Sequence, residues 1–170
     1  LFLGAVSAMF EMRYPGIVMQ AVGLTFGTLA ALLMAYRSGL IKATENFKLG
    51  VVAATGGIAL VYLASIVLGF FNIQIPMIHE SGIVGIGFSL FGFDGMGFIH
   101  ESSLMGIAFS GFVVVIAALN LVLDFDFIES GVEQGAPKHM EWYGAYGLLL
   151  TLIWLYLEML RLLSKLHSGN

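Results

Sequence analysis

The chain has 170 residues, 59% of them hydrophobic and only 11% charged, with a mean hydropathy of +0.95. Soluble domains carry about 25% charged residues, so this is the composition of an integral membrane protein whose first partner is the lipid bilayer. A formal net charge of −4 without a basic stripe excludes nucleic acid as a partner, and the lack of cysteine excludes disulfides and thiolate metal sites.

The first apolar run, Leu1 to Phe10, is too short to cross a bilayer alone. It opens with neither a methionine nor a basic flank, as the middle of a helix would. The expectation is one transmembrane domain over residues 1–170, truncated at its N-terminus. The run stops at Glu11-Met-Arg13-Tyr14-Pro15, and Pro15-Gly16 marks a turn before a helix predicted from about Gly16 to Tyr36. On that helix Gly23, Gly27 and Ala31 recur at four-residue spacing, a small-residue face suited to close packing in lipid.

Arg37 to Lys48 reads as a polar connector with Arg37, Lys42 and Lys48 against Glu45, and the positive-inside rule assigns it to the cytoplasm. The next span runs from about Phe47 to Phe71. Met77-Ile-His79-Glu80-Ser81 then recurs as Phe98-Ile-His100-Glu101-Ser102, and the residues after each copy also resemble one another, which reads as a local duplication. The apolar piece between the copies, Gly82 to Phe93, is too short to span and is expected to be interfacial or re-entrant. Neither copy is His-Glu-x-x-His, so a zincin is excluded and a polar surface loop is expected.

The next full-length run, about Ser102 to Ile128, carries no charge between Ser102 and Asp124, and Asp126 follows. A polar loop from Glu129 to His139 follows, then a last span from Met140 to about Leu163, with Trp142, Tyr143 and Tyr146 as an aromatic belt. The fold class is therefore all-α, a polytopic transmembrane helix bundle with a short extra apolar segment. The connector and the Glu129–His139 loop should share one side of the membrane, with Arg13, Arg161 and Lys165 on the other.

A carboxylate in hydrocarbon costs from roughly 2.5 kcal/mol upward, so an acid there is a functional candidate by default. Asp124 and Asp126 are two residues apart and face nearly opposite sides of a helix, so they cannot pair with each other. Asn120 lies one turn before Asp124 on the same face. Asp124 is the candidate for a buried proton or ion site, and Asp126 for a gate, cap or salt-bridge partner. On the last span Gly147, Thr151, Trp154 and Glu158 follow one stripe, which Arg161 continues. Glu158 is expected either to pair with Arg161 as an anchor or to serve as a second acidic station. A carboxyl group at Asp124 that gains or loses a proton can switch the packing of two helices.

At these residues the chain resembles the Bax inhibitor family. The likeness is strongest from Asn120 onward, in Val122-Leu123-Asp124 followed by Glu133-Gln134-Gly135, and in the runs Asn-Leu-Val-Leu-Asp-Phe-Asp-Phe-Ile-Glu and Met-Glu-Trp-Tyr-Gly-Ala-Tyr-Gly. The resemblance, to a bacterial branch, implies about the last five of seven helices with the last one central. It implies a pH-sensitive calcium leak sensed by two aspartates, one on each of the last two helices. Asp124 matches the first. Thr151 stands where the second is expected, while a shifted alignment brings Glu158 to that role.

The function expected is thus a proton-gated cation leak in a bacterial inner membrane. Its ion is Ca²⁺, for which Asp124 and Asn120 supply hard oxygen ligands, and no other cofactor is implied. The alternative is a non-conducting membrane protein that binds and modulates a membrane protease or another complex. An enzyme is not expected, because an intramembrane aspartyl protease needs a second aspartate within another span.

Overall fold

A computed structural model of the protein describes residues 2–70 and 104–168. Five helices are described: α1, Phe2–Arg13; α2, Ile17–Arg37; α3, Glu45–Phe70; α4, Leu104–Glu133; and α5, Met140–Ser168. The duplicated His-Glu-Ser segments, the apolar piece Gly82 to Phe93 and the turn after it lie outside the described residues. Ile17–Arg37, Ile107–Glu133 and Met140–His167 are each long and apolar enough to cross a membrane, and α3, with 26 residues, has the length to do so.

The helix ends follow local chemistry. Gly16 takes a left-handed φ of 88°, and the Glu11 carboxylate accepts from the backbone N–H groups of Gly16 (2.7 Å) and Val18 (3.1 Å), satisfying the first turn of α2. At the other end Gly39 sits at φ 74°. Its N–H reaches the Tyr36 carbonyl at 3.0 Å while the Leu40 N–H reaches Ala35 at 3.0 Å, a Schellman stop. Thr44 then caps α3 by accepting from the Phe47 N–H at 3.3 Å, so Glu45 to Lys48 are helix rather than connector.

The same device ends α4 later than expected. Gly135 takes φ 63°, its N–H bonds Val132 at 3.1 Å, and the Ala136 N–H bonds Gly131 at 2.9 Å. The polar residues after Ile128 do not break the helix. They form an extra stretch to Glu133, and the loop shrinks to 134–139. Helix α5 likewise runs past Leu163 to Ser168.

Helix α4 packs on α2, α3 and α5, and α5 packs also on α2. The main core joins Ile17 and Ala21 of α2 to Ala117, Leu121 and Phe125 of α4 and to Leu155, Met159 and Leu160 of α5. A smaller core sets Ile58 of α3 against Val113 and Ile116 of α4. Helix α1 joins α5 through Ser7 and Tyr156, whose hydroxyls are 2.7 Å apart. The second half of α5 is therefore enclosed, while Trp142, Tyr143 and Tyr146 in its first half are exposed.

Polar contacts fix the ends. The Tyr36 hydroxyl donates to the Glu129 carboxylate, and Lys48 pairs with Asp126. The 38–44 connector and the 134–139 loop therefore lie at one end of the bundle. At the other, the rings of Tyr14 and His167 meet with centroids 5.7 Å apart.

Candidate functional site

The seam between α4 and α5 is narrow because α5 lacks side chains where the helices meet. A Cβ on Gly144 would sit 2.9 Å from Ile128 Cγ1, closer than packed atoms tolerate. One turn on, a Cβ on Gly147 would lie 3.5 Å from Asp124 Oδ1. Small residues let membrane helices approach in this way, and here they bring the α5 backbone against a carboxyl group.

The next residue on that stripe, Thr151, donates its hydroxyl to the Asp124 carboxylate. Asp124 Oδ2 is buried and has no hydrogen-bond partner among the described residues. At about 1.5 Å per residue, Asp124 lies roughly 14 Å before the C-terminal end of α4, inside the stretch Ile107–Glu133 that is long and apolar enough to cross a membrane. One oxygen thus has a donor, and the other has none among the described residues.

The remaining sequence candidates go elsewhere. Asn120 turns to α3, where its Nδ2 donates to Thr55 Oγ1 at 2.7 Å, and the same nitrogen donates within α4 to the Ile116 carbonyl at 2.8 Å. Asp126 also faces α3, with Oδ2 2.7 Å from Lys48 Nζ. Glu158 is 1% exposed and held by Arg161 Nη1 at 3.0 Å to each carboxylate oxygen, with Trp154 Nε1 at 3.3 Å. This is the Glu158–Arg161 pair expected from the three-residue spacing, and it is buried. Glu158 lies two turns beyond Thr151, roughly 10 Å along the axis, so it does not meet Asp124. The structure brings together Asp124 and Thr151 and distributes Asn120, Asp126 and Glu158 among three other contacts.

Two features of the seam were not anticipated. The signal for Gly144 in the sequence is its three-residue spacing to Gly147, which places two glycines on one side of α5. Lys165, whose Nζ donates to the buried Ser110 hydroxyl at 2.8 Å, ties the far end of the seam. Along α4 and α5 the described charges are therefore acidic toward the 134–139 loop and net basic toward the other end.

The oxygens at Asp124 and Thr151 are hard ligands suited to Ca²⁺, but a resident Ca²⁺ takes six to eight. Among the described residues, no three His, Asp or Glu side chains converge as a metal site.

A family model described as Bax inhibitor 1 like matches residues 1–168. No curated protein and no solved structure matches the chain.

Proposed function

The chain belongs to the Bax inhibitor family of membrane proteins, and from that premise we propose that it is a pH-sensitive cation leak, with Ca²⁺ as cargo, gated by one proton at Asp124. The proposal places it in a bacterial inner membrane, on the likeness of its last two helices to a bacterial branch. The observation that carries it is the Asp124–Thr151 contact in the α4–α5 seam. A neutral carboxyl group fits there, sharing a hydrogen bond with the Thr151 hydroxyl. A carboxylate does not fit equally well, since its second oxygen is buried without a partner among the described residues. Ionisation favours water or a cation entering the seam, and entry requires α4 and α5 to part.

Thr151 opposite Asp124 makes this a single-proton switch, in place of two carboxylates sharing a proton. Its response to pH should have the slope of one independent site. The test is Ca²⁺ flux into proteoliposomes across pH, for the wild-type chain and Asp124→Asn. Asparagine stands in for the protonated carboxyl, so the variant should hold the wild type's acid-limit flux at every pH. Flux in the variant that still follows pH as the wild type does defeats the assignment. Purified protein that passes no Ca²⁺ at any pH favours the non-conducting reading, a regulator of a membrane protease or other complex.

A further inference from the structure

Helix α3 is held to the bundle along one edge. Its packing among the described residues is chiefly on α4, through contacts that include Ile58 on Val113 and Ile116, Thr55 with Asn120 at 2.7 Å, and Lys48 with Asp126 at 2.7 Å. Leu49, Val52 and Leu60 on the same helix are exposed to lipid. Lipid tails solvate an apolar helix as well as a neighbouring helix does, so no hydrophobic force presses α3 onto α4. Close packing at Ile58 and the polar contacts then hold α3 in place, and of these Lys48–Asp126 is the one between full charges. Charge-assisted bonds are roughly twice as strong as neutral ones.

The placement of Asp126 adds a second consequence. On α4 it follows Asp124 by two residues, so one carboxyl group faces α5 and the other faces α3. A turn or shift of α4 at the Asp124–Thr151 contact therefore moves Asp126 against Lys48. The other charged groups at this end are Glu45, 3.6 Å from Lys48 on α3, Glu129 at the Tyr36 hydroxyl of α2, and Glu133 near the same hydroxyl.

We propose that the Lys48–Asp126 pair is a latch that docks α3 on α4 and closes the end of the bundle next to the 38–44 connector, with α4 carrying the state of Asp124 to it. The docking half stands on the geometry alone; the coupling half rests on the proposed leak. Because the chain has no cysteine, spin labels can be placed at Leu49→Cys and Val132→Cys, both exposed positions. Their separation is then measured in liposomes for the parent, Lys48→Gln, Asp126→Asn, Lys48→Arg and the charge swap Lys48→Asp with Asp126→Lys. The latch predicts a longer and broader distance distribution in Lys48→Gln and Asp126→Asn, and parental distances in Lys48→Arg and the swap. Ca²⁺ flux in the same vesicles should rise and fall with the distance. Parental distances in both neutralised variants, or a swap as wide as they are, overturn the latch. Distances that behave as predicted in vesicles where no variant passes Ca²⁺ keep the latch and remove the leak.

Discussion

Gly144 gives the sharpest test of how α4 and α5 meet. An alanine there puts its Cβ 2.9 Å from Ile128 Cγ1, and the β-branched isoleucine has little freedom to turn its Cγ1 away. Forcing an extra methyl into such a contact costs about 1–3 kcal/mol. Alanine also gains up to about 1 kcal/mol over glycine inside a helix. Gly147→Ala, one turn away on the same helix, receives the same gain but meets its nearest atom at 3.5 Å, an ordinary contact. The gain cancels in the comparison, so Gly144→Ala should be less stable than Gly147→Ala by about 1–3 kcal/mol. Reversible unfolding in mixed detergent micelles measures the difference. Ile128→Ala removes the clashing atoms, so in that background the Gly144→Ala penalty should vanish. Equal stability of the two alanine variants, or a penalty that persists beside Ile128→Ala, refutes the close approach.

Other perturbations reach other contacts. Glu158→Gln leaves Arg161 charged and buried, and loss of one partner from a buried pair costs about 3–5 kcal/mol; the double replacement Glu158→Gln with Arg161→Met should lose much less in the same unfolding assay. Gly135→Ala forces an L-residue to φ 63° and should cost about 1–2 kcal/mol, whereas Gly135→Asn should be tolerated better. Thr151→Asp sets a second carboxyl group against Asp124, so two linked proton steps should spread the flux response over a wider pH range than the wild type's; an unchanged curve contradicts the contact.

Asp124 stood out in the sequence because it ends a long uncharged run, and a charge in hydrocarbon is conspicuous without any knowledge of its neighbours. The shared side of the connector and the 134–139 loop also followed from the order of spans, and the Tyr36–Glu129 and Lys48–Asp126 contacts place them together. Partners were less legible. Asn120 and Asp124 share a face on a helical wheel, yet one meets Thr55 and the other Thr151. A single face of α4 wide enough for both touches two helices, and which neighbour takes which residue depends on the rotation of each. The end of α4 was misplaced for a local reason: polarity after Ile128 looked like a loop, while the physical stop is the left-handed Gly135. The Glu158–Arg161 pair is legible from its three-residue spacing, whereas its burial is not, because it depends on α1 and α2 packing against that part of α5.

The proposed gate requires the Asp124 carboxyl group to exchange one proton while packed against Thr151 in a lipid bilayer. Infrared difference spectra of the reconstituted protein across pH, wild type against Asp124→Asn, read that group directly. A protonated-carboxyl band should disappear with single-site slope as pH rises and be missing from the variant. Identical spectra from the two proteins, with no band assignable to position 124, contradict it.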